Sequence, residues 1–164
     1  MTILTAVDGE TTPSGAVERG AELASALGVG HAVLHVMPQD EFEAFRESAG
    51  ESSGRPVTAS ASHGGSSQSA ALAEYTVENG ERHATEVARD VVHATLGDHS
   101  ETVPVGRVGD PIEEVLAEAD RRSVRYLVIG GRHRTPVGKA VFGSKTQSIL
   151  LDATCPVVTV MSEA

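Results

Sequence analysis

The stretch Glu101–Gly130, ETVPVGRVGDPIEEVLAEADRRSVRYLVIG, contains one complete strand–helix–strand unit. Residues 101–108 carry Val103, Val105 and Val108 and predict a strand. Pro104 places that strand near a sheet edge, because proline has no N–H for a ladder. Asp110-Pro111-Ile112-Glu113 reads as a capping box with proline at the first helical position. Ile112, Val115, Leu116 and Ala119 follow at helical spacing as one apolar stripe. Residues 125–130, RYLVIG, then form an apolar run without polar alternation, as expected of a parallel strand covered on both faces.

The same grammar extends in both directions. TILTAV (2–7) predicts a first strand, and Thr12-Pro13 a helix start. Ala16, Val17, Gly20, Ala21, Leu23, Ala24 and Leu27 make the stripe of that helix, which Gly28 closes. HAVLHVM (31–37) predicts a second strand. From Pro38 to about Ala70 the periodicity dissolves into Ser, Gly and Ala, which predicts a mobile insertion with at most an irregular helical turn around DEFEAFRES. Asn79 is the expected cap of the next helix; Ala84, Val87, Ala88, Val91 and Thr95 share its face, and Gly97 stops it. Ser144-Lys145-Thr146-Gln147 reads as a second capping box, opening a helix to about Asp152. PVVTVM (156–161) is the last strand. Right-handed crossovers then give one α/β domain over residues 1–164: a doubly wound, Rossmann-like, five-stranded parallel sheet with helices on both faces, interrupted by the insertion at about 38–70.

Composition narrows the function classes. The 164 residues are 40% hydrophobic but only 3% aromatic, with no Trp, too few rings for a base-stacking platform. Net charge is −10, and segment 130–145 holds four cations without a carboxylate, so the remainder carries −14. Such a surface repels nucleic acid and anionic membranes. Acidic excess with only two lysines suits a high-salt cytoplasm and an ordinary GC-rich genome equally well. The lone Cys155, in an apolar strand, reads as an inert thiol in a reducing compartment. The N-terminus lacks the pattern of a signal peptide, and no window approaches a membrane span; a cytoplasmic protein is expected.

The basic segment follows the fourth strand, where such folds bind ligands. It reads VIGGRHRTPVGKAVFGS over Val128–Ser144 and then enters a helix at Lys145. Glycines at 130, 131, 138 and 143 allow close backbone approach, Arg132, Arg134, Lys139 and Lys145 supply charge, and the helix start supplies free N–H groups. This combination predicts an anion site, with phosphate as the expected ligand. It is not a Walker A loop: His133 replaces the first glycine, and Ala140 stands where Ser or Thr would hold magnesium.

Aligned from its end, the segment resembles the nucleotide-binding motif of the universal stress protein family, Gly-x2-Gly-x9-Gly-Ser/Thr. Gly130 and Gly143-Ser144 match, while His133 occupies the second glycine. AVDG after the first strand, LHVM in the second, VGDP before a crossover helix and CPVVTV at the end agree, so the similarity covers 1–37 and about 80–162. The resemblance implies an ATP-binding stress-response regulator, with or without Mg2+, acting as a homodimer through edge strand 156–161. It implies that Asp8 contacts adenine or ribose and Val36 the adenine through its backbone. Ile129 and Gly130 would line the ribose, and Gly143, Ser144 and Lys145 would hold the phosphates. Arg132, His133, Arg134 and Lys139 are further candidate phosphate contacts. Asp8 also suits a plain turn or cap, and Ser144 a plain N-cap. The imidazole of His133 either blocks phosphate or joins the arginines in holding it.

No catalytic or metal residue is expected. His31 and His35 lie about 13 Å apart on a strand, too far to share an ion. No nucleophile elbow or poised base is visible. Two other readings stand beside the nucleotide-binding module: a dimeric interaction protein of the same fold without nucleotide, and a slow ATPase. The downstream partner is not legible.

Overall fold

The computed structural model describes residues 1–9, 14–51, 75–98, 100–132 and 143–162. Their order is β1 (Thr2–Val7), α1 (Ser14–Leu27), β2 (Gly30–Pro38), α2 (Gln39–Glu51), α3 (Val77–Leu96), β3 (Val103–Gly109), α4 (Pro111–Arg121), β4 (Tyr126–Arg132), α5 (Ser144–Asp152) and β5 (Val157–Ser162). The five strands form one parallel sheet in the order β3-β2-β1-β4-β5. Pro104 does sit on an edge strand. The chain winds outward from β1 to β3, then restarts on the other side with β4 and β5. The strand order therefore reverses between β1 and β4.

Strand alternation divides the core. Leu4, Leu34, Val36, Leu127 and Ile129 point to the face covered by α4 (Val115, Ala119) and α5 (Ile149). Ile3, Val7, Val33 and Val128 point to the opposite face, against α1 (Ala16, Val17, Ala24) and α3 (Ala88, Val92). Two glycines set the helix–sheet spacing on that second face. A Cβ on Gly20 would come within 2.2 Å of Thr5 Oγ1, and one on Gly106 within 2.2 Å of the Thr85 backbone N. Buried Thr5 and His31 are satisfied by each other: Thr5 Oγ1 to His31 Nε2 is 2.9 Å, and His31 Nδ1 to Thr102 Oγ1 is 2.9 Å.

Several local expectations change. The insertion does not begin at Pro38: residues 39–51 form a regular helix, α2. Asp40 and Glu41 lie in its first turn, where they favour the helix dipole, and Phe42 is buried against Met37 and Ala84. Phe42, Phe45 and Tyr75 gather here, so three of the five Phe and Tyr side chains anchor this corner. Helix α3 is capped by Thr76, whose hydroxyl accepts from the Asn79 N–H, and not by Asn79 itself. Helix α5 is capped by Gly143, so Ser144 takes its first helical position and the second capping box does not form. The first one holds on its cap side: Asp110 Oδ1 accepts from Ile112 N at 2.9 Å and Glu113 N at 3.0 Å. The expected start at Thr12-Pro13 and the insertion from 52 onward lie outside the described residues.

Candidate functional site

The C-terminal rim of the sheet gathers most of the sequence-selected residues. Register pairs Val7 with His35 and Ala6 with both Leu34 and Ile129. Continued one step beyond β1, the same register sets Asp8 between Val36 of β2 and Gly131 of β4, one residue past Gly130. This is the point of strand-order reversal, where open α/β sheets carry ligands. Val36 is 6% exposed and Ile129 is 4% exposed, and both belong to the core cluster that includes Ile149. Their side chains form the floor, while Gly130 is half-buried and Asp8 is exposed. Ile149 seats α5 on this same floor, which directs the helix start at Gly143 toward the rim.

Among the described residues no side chain caps the start of α5. Gly143 has no side chain with which to satisfy the first N–H groups, and it adopts φ −60° and ψ 155°, ordinary cap geometry. Ser144 and Lys145 are both exposed. Helix α5 has no acidic residue in its first turn, so no carboxylate of that turn offsets the positive end of its dipole. These groups can bind an anion through backbone N–H, one hydroxyl and one ammonium. Arg132 ends β4, where its backbone pairs with Ser162. The positions of the Arg132 side chain and of His133, Arg134 and Lys139 lie outside the described residues.

One rim residue was considered in the sequence only as a metal ligand. His35 is 7% exposed and faces the α1/α3 side, opposite Val36. Its Nδ1 donates to the Val7 carbonyl at 3.3 Å. Burial lowers its pKa, while the Val7 bond and the nearby carboxylates of Glu41 and Asp8 act the other way. The period-two alternation of strand β2 already carried this signal, since it separates His35 from Val36 by face. Among the described residues no three His, Cys, Asp or Glu side chains group as a metal site.

A second charged cluster lies at the β3 edge of the sheet. Glu118, 1% exposed, is held by Arg107 of β3 at 3.0 Å and by Arg121 and Arg122. Burial works to raise its pKa, but the Arg122 hydrogen bond and the charges of Arg107, Arg122 and Arg121 outweigh burial and lower it. A shallow cavity of about 340 Å³ opens beside this cluster, lined by Arg82, Arg107 and Arg122 but also by Glu78 and Glu81. Its arginines are already paired with carboxylates, so the cluster reads as a structural tie between α4 and β3. At the opposite edge, a groove of about 610 Å³ runs between α1 and β5, lined by Leu23, Ala26, Val158, Val160 and Met161. Cys155 is half-buried against the core, and burial raises its thiol pKa.

Comparison with known proteins agrees with this architecture. The model of the universal stress protein family matches residues 1–161. A universal stress protein of Mycolicibacterium smegmatis is 47% identical over 57 residues, 35% of this chain and 42% of that relative, so the match spans less than half of the relative's length. The universal stress protein from Archaeoglobus fulgidus in complex with dAMP superposes with a TM-score of 0.56 at 20% identity, covering 97% of this chain and 96% of that one. A universal stress protein in complex with cAMP gives a TM-score of 0.59 at 14% identity, covering 99% and 98%. At those identities the structural likeness is one of fold.

Proposed function

The chain belongs to the universal stress protein family, and from that premise we propose that it is a nucleotide-binding regulatory module taking ATP at the rim between β1 and β4. The observation that carries this reading is that Asp8, Val36 and Ile129 stand where strand order reverses, while the helix that follows β4 starts at Gly143–Lys145 without a side-chain cap among the described residues. Relatives of this fold solved with dAMP and cAMP support an adenine nucleotide as the ligand class.

In this reading Asp8 accepts a hydrogen bond from the adenine or the ribose, and the Val36 backbone meets the base. Ile129 and Gly130 flank the sugar. The N–H groups at the start of α5, the Ser144 hydroxyl and the Lys145 ammonium hold the phosphates, with Arg132, His133, Arg134 and Lys139 as additional contacts. The donor set is cationic and rich in N–H, which suits phosphate oxygens; a Mg2+ ion, where present, is held by the phosphates themselves. This reading gives Asp8 to the adenine or ribose and His133 to the phosphates and assigns neither to activating water, so its output is occupancy, not turnover. The protein acts in the cytoplasm as a homodimer. Its β5 edge, half-buried along Val157–Met161 and bordered by the apolar groove against α1, is covered by a second copy. No helix among the described residues is long and apolar enough to cross a membrane.

Calorimetric titration with ATP tests the proposal. Native protein takes up ATP, and Asp8→Ala and Ser144→Ala each weaken it roughly tenfold, the scale of one lost hydrogen bond to a charged group. A folded native protein that takes up no ATP refutes the reading and leaves a dimeric interaction module. Phosphate release at a steady rate would instead establish the ATPase.

A further inference from the structure

Asp8 stands on a turn that has no regular secondary structure beyond Val7, yet its carboxylate must keep one direction to read a ligand. Three observations show what holds that turn. The imidazole Nδ1 of His35 donates to the carbonyl of Val7, the last residue of β1, at 3.3 Å. The same ring packs against the turn's other end: a Cβ on Gly9 would lie 2.8 Å from His35 Cε1 and 3.2 Å from Nδ1. Gly9 also holds φ +83°, a left-handed conformation that glycine adopts at no steric cost. One buried side chain thus grips both flanks of a three-residue segment whose middle residue is Asp8.

The direction of Asp8 follows from this grip. Val7 points to the α1/α3 face, as His35 does. Carried one residue past the end of β1, the same alternation assigns Asp8 to the opposite side, the face of Val36 and Ile129. Other groups gather around the turn and the ring. Val87 of α3 comes equally close to Gly9, at 2.9 Å from its would-be Cβ. Glu41 of α2, His83 of α3 and Asp8 itself lie near enough to act on its charge.

We infer that His35 is a positioning residue of the proposed nucleotide site, clamping the Val7–Gly9 turn from below so that the Asp8 carboxylate is aimed at the ligand. This rests on the nucleotide-binding reading and adds a residue that touches no part of the ligand.

The test is ATP affinity, measured by calorimetry on folded full-length variants. His35→Leu keeps the buried volume and removes the donor; His35→Asn keeps an N–H near the position of Nδ1. His35→Leu is expected to weaken ATP roughly tenfold, and His35→Asn to stay within about threefold of native. In an Asp8→Ala background His35→Leu adds nothing, because the group it aims is gone. His31→Gln, buried on the same strand and face but at its far end, leaves affinity unchanged and controls for general loss of stability. Native affinity in His35→Leu overturns the inference while leaving the nucleotide site standing. So does an Asn variant as weak as the Leu variant, or an undiminished Leu effect without Asp8. Absence of ATP uptake by the native protein overturns the binding reading itself, and this inference with it.

Discussion

Glu118 offers the sharpest quantitative test of how this fold is held. Its carboxylate is 1% exposed and neutralises guanidinium groups from Arg107, Arg121 and Arg122. Glu118→Ala leaves Arg107 and Arg122, 25% and 31% exposed, without that partner. Removing one member of a buried ion pair costs about 3–5 kcal/mol. Arg107 retains Glu81 at 3.6 Å, and the two guanidinium groups reach water in part, so the lower end, about 3 kcal/mol, applies. For a domain of this size that lowers Tm by about 6–12 °C. Glu118→Gln keeps the volume and one acceptor oxygen and costs less, about 2 kcal/mol, as hydrogen bonds to a charged group weaken to neutral ones. Arg121 is 51% exposed, so Arg121→Ala costs under about 1 kcal/mol. Thermal unfolding followed by circular dichroism at pH 7, with urea titrations to confirm, gives all three values. Because the folded carboxylate titrates below its ordinary range, its contribution is present above about pH 4.3 and is lost as pH falls through the folded pKa. Glu118→Ala within about 1 kcal/mol of native would refute the reasoning. So would an Arg121→Ala cost equal to that of Glu118→Ala, because burial would then not be the source of the energy.

Two further outcomes follow from the α1/α3 face. Burial pushes the His31 pKa down to about 4, so its neutral form stabilises the fold fully above the unfolded value near 6.5, and that stability is lost as pH falls from there toward 4. The loss is at most about 3 kcal/mol; urea unfolding at pH 7.5 and 4.5 should show it in the native protein and a clearly smaller loss in His31→Gln, and equal losses would contradict it. Gly106→Ala drives a methyl group into the α3 backbone, 2.2 Å from Thr85 N and 2.3 Å from Glu81 O. Neither contact can rotate away, so a cost of about 3 kcal/mol or more, or loss of soluble protein, is expected; a melting point within 2 °C of native, the change expected from under about 1 kcal/mol, would show that α3 can shift freely.

Element type and order were legible because side-chain periodicity is local. The mainly apolar runs at 2–7, 31–37 and 125–130 announced parallel strands, and the helix stripes announced the crossovers. The Asp110 cap was legible for the same reason, since proline one residue later leaves little choice of start. Other caps were missed by one or three residues, at Gly143 for Ser144 and at Thr76 for Asn79, because the direction from which the chain arrives decides which residue keeps extended geometry. Helix α2 was hidden because Phe42 docks on Met37 and on Ala84, the latter remote in the chain, while the helix has no long stripe of its own.

The candidate site divides along the same line. Sequence alone determined which residue types stand at the strand ends and that a basic, glycine-rich segment leads into a helix. Tertiary structure decided that β1 lies between β2 and β4, which sets Asp8 level with Val36 and Gly131 although they are 28 and 123 positions away in the chain. It also decided that Glu118, on the apolar stripe of its helix, meets an arginine from β3, and that His35 reaches under the turn that carries Asp8. Periodicity reports which way a side chain faces, but strand order and register, set by how separate hydrophobic faces close on one another, determine what it meets there.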